Sequence, residues 1–345
     1  MKKLIAKLRK KDVESSSRIT NESVAEHRER VLAGGRRFKY PIQYARHKLV
    51  INAIVISISA IIALVVLGWW QLYPAQNSSE FIYRVTTVLP LPVASVDGQP
   101  VLYSDYLMKY RSDIHYLEQK EQVSLKTDDG KRQADYHKRQ AMDDATADAY
   151  ATKLARGLGI TVNDGEVETF LRLQRKSSDG DVSEQTYNAS ILDILGWTPD
   201  EYRHAIKAKL LRQKVTYAID STALSESEDV SAMLKSGNSD FAEIIAYINS
   251  KQPSSLVYGS SGWVPKTNQD GGLSATALTL SASQVSGAVK VTTNNIYYYY
   301  FVRLVDVNDT QINYDYIQIP LTVFTKQLSD VKKSGKVTEY ISIPE

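Results

Sequence analysis

The chain has 345 residues, with 42 Lys and Arg against 39 Asp and Glu, 22 Tyr, five His and no Cys. The lack of cysteine excludes disulfides and thiol chemistry, and His27, His47, His115, His137 and His204 include no pair at metal-motif spacing, so no cofactor is called for. The formal charge of +3 averages two unlike regions: residues 1–48 carry 14 basic and five acidic side chains, +9, and the remainder carries −6.

A basic segment beside an apolar one argues for anionic lipid as partner and against nucleic acid. Met1–Lys11 (MKKLIAKLRKK) supports this, because Leu4, Ile5 and Leu8 share one helical face among lysines. An unstructured, solvated tail fits this stretch equally well.

Leu49–Trp70 reads LVINAIVISISAIIALVVLGWW, without charge, Pro or Cys. About 20 such residues cross the ~30 Å hydrocarbon core of a bilayer as a helix. Asn52, Ser57 and Ser59 are its only polar interruptions, and Trp69, Trp70 and Tyr73 follow where amphipathic rings favour the interface. The alternative is a buried core helix, which would normally show a polar face. Basic flanks stay in the cytoplasm, so residues 1–48 are expected inside and the C-terminal part outside. The apolar run exceeds the roughly 7–15 residues of a cleaved signal, and no A-x-A site follows in Gln71–Ser78. An uncleaved signal-anchor is therefore expected, giving a single-pass cell-membrane protein.

Residues 71–92 read as a polar juxtamembrane linker punctuated by Pro90 and Pro92. Val93–Tyr103 then offers two short apolar strands around Asp97-Gly98, a strong hairpin signal. Ser104-Asp105 are expected to cap a helix carrying Tyr106, Leu107, Tyr110, Ile114 and Leu117, and 119–129 to break it. A long Ala-rich helix follows from Arg132 to about Leu158, with small residues Ala134, Ala141, Ala145 and Ala149 along one face and a stop at Gly157 and Gly159. Asn163-Asp164, Ser183 and Thr198-Pro199-Asp200-Glu201 open three further helices, the last running to about Ile219.

The order of hairpin, S-D-marked helix, long helix, LGITVNDGEVETFL and LGWTPDEYRHAIKAKLLRQKV is similar to the N-terminal chaperone module of SurA- and PrsA-like foldases. The family's hairpin motif stands here as Ala94-Ser95-Val96-Asp97-Gly98 through Ser104-Asp105. Further on, LKSGNSDFAEIIAYINS resembles the first helices of parvulin domains, expected over Asp229–Lys235 and Asp240–Asn249. YGSSGWV at 258–264 resembles their G-G-D-L-G-W-F, and residues 276–307 resemble their closing helix, turn and strands. The resemblance implies an α+β chain: one transmembrane helix (49–70), a helical SurA-type domain with a hairpin (93–220), and a small degenerate parvulin-like domain with an antiparallel sheet (221–345).

Parvulins twist X–Pro bonds in a proline pocket beside two histidines, and this chain has no His after His204. By the resemblance, the last-strand histidine falls on Tyr300, the pocket phenylalanine on Leu278 and the loop acid on Ser260. A terminal strand, Ile312–Leu321, is expected to form a hairpin with Tyr297–Val305 across Asn308-Asp309, and to complete the sheet with Tyr316 in the place of the first-strand histidine. Trp263 is either a retained site residue or a core residue. Trp263, Tyr298, Tyr300 and Tyr316 are the candidate peptide-contacting side chains, since Tyr gives large amphipathic contact at low entropic cost. Alternation sends Tyr297 and Tyr299 to one face and Tyr298 and Tyr300 to the other, so one pair is expected in the core and the other exposed, unless all are packed. Asp143-Asp144 reads as a solvated helix face, and Ser329–Lys332 as a chance S-x-x-K match without partners.

Three functions follow from the resemblance. The first is a membrane-anchored extracytoplasmic chaperone for unfolded or newly secreted polypeptides, with its isomerase site inactive. The second is an active parvulin-type prolyl isomerase with a substituted site. The third is a non-catalytic envelope scaffold for one dedicated partner.

Overall fold

The computed structural model describes residues 20–39, 41–177, 180–251, 256–293 and 295–344. The amphipathic reading of Met1–Lys11 lies outside them. The chain forms two units, residues 1–70 and 71–345.

In the first unit, helix α1 covers Asn21–Lys39, and its residues up to Gly34 are exposed. Helix α2, Pro41–Leu72, contains the expected apolar run, and its stretch His47–Leu72 is long and apolar enough to cross a membrane.

The second unit opens with a correction to the expected polar linker. Leu72 is buried, and α3 (Glu80–Val88), capped by Ser79, buries Ile82, Tyr83 and Thr86. The physical reason is an amphipathic helix within 71–92 that proline punctuation had masked. Strands β1 (Pro92–Val96) and β2 (Gln99–Leu102) form the expected hairpin. Asp97 and Gly98 both take positive φ (47° and 83°), as a two-residue turn between twisted strands requires.

Helix α4 (Tyr103–Gln119) starts one residue before the expected Ser-Asp cap, with no side-chain cap at Leu102. Its start is fixed instead by Tyr103, whose ring is fully buried and whose N–H bonds to the Leu91 carbonyl at 2.8 Å. Asp105 is thereby free to meet His204, 2.9 Å away. The long helix α5 (Asp128–Leu158) is capped by Thr127 and closed by Gly159 in the left-handed region. Ala141 and Ala145 are buried where α4 and the later bundle helix approach.

Capping boxes at Asn163/Glu166 and Thr198/Glu201 open α6 (Asp164–Gln174) and α8 (Pro199–Ile219); between them, β3 (Lys176–Ser177) and β4 (Gly180–Asp181) form a small antiparallel pair, and Ser183 caps α7 (Glu184–Leu195), which Gly196 closes. Helix α9 covers Ser221–Lys235, eight residues earlier than expected, because Asp220 serves as its N-cap. The same buried carboxylate accepts the N–H groups of Thr322 (2.8 Å) and Val323 (3.1 Å), joining two distant segments. Helix α10 covers Phe241–Lys251.

Between residues 257 and 321 the chain builds a four-stranded antiparallel sheet. Its strands are β5 (Val257–Pro265), β6 (Val289–Thr293), β7 (Ile296–Val307) and β8 (Gln311–Leu321), in the order β5-β8-β7-β6. The terminal hairpin expected across Asn308-Asp309 is present, and β8 takes a central place, pairing with both β7 and β5. The end of α8 and helices α9 and α10 cover one face through Tyr217, Val230, Phe241, Ile244 and Ile248, which pack on Tyr297, Tyr299, Phe301, Ile317 and Ile319. A short helix, α11 (Leu273–Ala277), covers the other.

The chain then returns to the bundle. Helix α12 (Val323–Lys333) places Phe324 in the bundle core, and β9 (Val337–Glu339) adds to the free edge of β1. Ile341 and Ile343 complete the same core. Residues 322–344, which the sequence reading groups with the C-terminal domain, thus pack with the N-terminal one.

Candidate functional site

Two places are candidate sites: the tyrosine-bearing face of the sheet and the junction of sheet and bundle.

On the sheet, Tyr298, Tyr300, Tyr314 and Tyr316 share a face. Ring centroids lie 5.6 Å apart for Tyr298–Tyr300, 5.4 Å for Tyr300–Tyr316 and 6.3 Å for Tyr314–Tyr316. Such edge-to-face and tilted contacts suit aromatic quadrupoles. Tyr300 is 9 % exposed, whereas Tyr298 and Tyr316 are half-buried. Burial pushes the Tyr300 phenol up to about 12, so it is neutral at ordinary pH. Tyr314 donates to Asp270 at 2.7 Å, and Asp270 also accepts the Ser274 N–H at 3.0 Å, which fixes α11 over this face. Gly259 on β5 leaves room for the Tyr316 ring, which any Cβ there would overlap.

The structure therefore gathers Tyr298, Tyr300 and Tyr316. Ser260 and Trp263 flank an irregularity in β5 and are exposed, Trp263 by 45 %; Leu278, at the end of α11, is exposed too. Neither tyrosine pair is fully open: Tyr297 and Tyr299 are buried against Tyr217 at the end of α8, and on the other face Tyr300 is covered while Tyr298 is half-buried.

At the junction lies a cavity of about 530 Å³. Trp197, Leu195, Phe324, Leu328 and Tyr297 give it apolar walls, and Lys109, Asp113, Asp144, Arg212 and Lys332 give it charge. Its elements converge from five directions: α4, α5, α8 with its preceding turn, the β6–β7 hairpin and α12. Trp197 is fixed by its indole N–H, which donates to the Met108 carbonyl at 3.0 Å.

A buried charge network forms one side of this cavity. Lys109 Nζ lies 2.7 Å from Asp144 and 2.9 Å from Asp148; Arg212 Nη1 lies 2.8 Å and 3.3 Å from the same two residues. Arg212 also donates to Asn295 (3.1 Å) and to the Tyr297 hydroxyl (3.2 Å) at the start of β7. Burial alone would raise the Asp144 carboxyl, but Lys109 and Arg212 outweigh it and hold the group at about 2. Burial likewise opposes the charge on Lys109 and Arg212, and the two aspartates overcome it and raise both. These charges are locked ion pairs rather than poised acids or bases, and what the cavity offers a guest is shape, apolar wall and a polar rim.

Sequence reasoning missed this network. It expected Asp143-Asp144 on a solvated face; the two do diverge, but Asp144 turns into the junction while Asp143 meets Lys332 at 2.7 Å. The available signal was the i, i+4 spacing of Asp144 and Asp148 beside buried alanines, on the face turned to another helix.

No curated protein and no solved structure matches this chain. The SurA-like N-terminal domain family matches residues 42–216, from the start of α2 through the hairpin and bundle to the last turns of α8. That match covers just over half of the sequence, and its elements include α4, α5 and α8, which wall the junction cavity: the chain belongs to the SurA-like N-terminal domain family.

Proposed function

We propose that this protein is a membrane-anchored extracytoplasmic chaperone that binds unfolded or newly secreted polypeptides. Its family membership carries the reading, since a SurA-like domain is a chaperone-type folding module that binds unfolded chains. The junction cavity supports it: a mixed apolar and polar recess, bounded by rigid helices, suits polypeptide segments of varied sequence. Exposed apolar side chains on the bundle (Tyr136, Leu173, Leu192, Ile194) extend the surface available to such segments.

In this reading Leu49–Trp70, within the apolar stretch His47–Leu72, is the anchor, residues 1–48 lie in the cytoplasm against the anionic leaflet, and residues 71–345 lie outside. The region 221–321 is a degenerate parvulin-like domain without isomerase turnover. Supporting this, the positions matched to the family's histidines carry Tyr300 and Tyr316, whose rings pack against each other. Trp263, Tyr298, Tyr300 and Tyr316 are kept as candidate peptide contacts, with Trp263 the most accessible.

The test uses residues 71–345, which form a compact unit. Mixed at substoichiometric to equimolar ratio with several unrelated unfolded proteins, this fragment is expected to suppress light scattering from all of them. Suppression of none would overturn the chaperone reading and favour a scaffold with one partner. A proline-peptide assay is expected to show no rate above background, and measurable turnover would restore the isomerase reading.

A further inference from the structure

Helix α3 buries one face and leaves another uncovered. Ile82, Tyr83 and Thr86 point into the bundle core, while Phe81 is 74 % exposed, Val88 79 % and Leu89, just past the helix end, 51 %. Val85 is half-buried. Residues 81, 85 and 88 follow i, i+4, i+7 spacing, so they form one outward apolar row. Arg84 beside the row is paired with Glu80 (2.6 Å) and Glu201 (3.3 Å), so it adds no free positive charge.

We propose that this row is an interfacial membrane-docking surface of the outer domain, seated in the lipid of the leaflet into which the anchor emerges. The inference rests on the anchor reading of His47–Leu72. Chain continuity picks the occupant. Phe81 follows Leu72, the end of the apolar helix, by nine residues, which even fully extended cover no more than about 30 Å. Leu72 also belongs to the same buried core as Ile82 and Tyr83, and its carbonyl accepts the Tyr103 hydroxyl at 2.6 Å. The residue that ends the apolar helix and the buried side of α3 are thus held in one packed body. A second copy of the chain is a poorer occupant, because three side chains on a nine-residue helix and Leu89 just past it fall far short of the roughly 800 Å² per partner that a stable dimer buries. With Arg84 paired, seating depends on apolar contact rather than on anionic headgroups.

The absence of cysteine makes the test clean, since an introduced one is the chain's sole thiol. Full-length Phe81→Cys and Val88→Cys variants, each nitroxide-labelled, are placed in phosphatidylcholine vesicles with and without phosphatidylglycerol. Ile56→Cys serves as the control within the span and Leu192→Cys as the exposed control on the bundle. The ratio of collisions with oxygen to those with a water-soluble nickel chelate is expected to be several-fold higher at 81 and 88 than at 192, in both lipid mixtures. If 56 reads lipid while 81 and 88 match 192, the docking surface is refuted and the anchor stands. If 56 also reads water, the anchor falls and the docking surface with it. If 81 and 88 become shielded only when an unfolded polypeptide is added, the row is a client surface and the proposal is wrong.

Discussion

Arg212, on the last helix of the bundle, donates through Nε to the hydroxyl of Tyr297, the second residue of β7, at 3.2 Å. Through this contact and the Arg212–Asn295 bond, a guanidinium bound to two aspartates of α5 also holds the tip of a sheet hairpin. Its own side chain is buried, so the interaction acts with little solvent screening.

Removing one member of this network should therefore cost far more than a surface ion pair. Asp144→Asn is expected to lower the stability of the 71–345 fragment by about 2 kcal/mol, because Arg212 and Lys109 lose one of two counter-charges while Asp148 still pairs with both. Thermal unfolding of the two fragments checks this. The sign with pH follows from a carboxyl held down at about 2 against its ordinary 3.8. Its contribution is present above the unfolded value and is lost as pH falls from about 4 towards 2. The variant should show a correspondingly shallower loss in that window.

His204 behaves in the opposite sense. Its hydrogen bond to Asp105, 2.9 Å long, raises the imidazole above its ordinary 6.5. A group whose folded value is raised stabilises fully below the unfolded value and loses that contribution as pH rises through the folded one. His204→Gln should therefore lower the melting temperature more at pH 5.5 than at pH 8.5. Equal losses at both would show that the pair contributes nothing through its charge.

Gly259 tests whether the tyrosine face is packed or open. Gly259→Ala puts a methyl where the Tyr316 ring lies, so either β5 shifts or the ring leaves. A loss of about 1–3 kcal/mol is expected for such overpacking, and Tyr316→Ala in the same chain should recover part of it. No loss from the single substitution would mean that Tyr316 swings freely and that this face is available to ligands.

Much of this architecture is legible in the residues. Caps at Asn163, Ser183 and Thr198 bond to nearby backbone N–H groups, so their signals are local and the helices start where they indicate. The Asp97-Gly98 turn and the β7–β8 hairpin are local in the same way. Features that depend on long-range contact escaped. Tyr103 overrides the Ser-Asp signal because a buried ring and a bond to Leu91 decide where α4 begins. Asp220 caps α9 while also holding Thr322 and Val323, a pairing across about a hundred residues that no periodicity reveals. The Lys109–Asp144–Asp148–Arg212 network escaped for the same reason: each member reads as an ordinary helix-surface charge until the helices are packed.

The returning tail gives the most direct test of how the two halves are joined. Val337–Glu339 pair with β1, Arg139 donates to the Ile343 carbonyl at 3.0 Å, and Ile341 and Ile343 sit in the bundle core. Ile341→Asp places a carboxylate there with no designed partner, and the buried charge cannot be accommodated without releasing the strand. The expected loss is about 3 kcal/mol or more. Its location is the sharper prediction. Amide exchange should accelerate first in β1 and β2, whose outer edge β9 covers, and last in β7 and β8, whose core is built from other residues. If the sheet opened as early as the hairpin, the tail would be coupled to the whole of residues 71–345 rather than acting as the closing strand of the bundle.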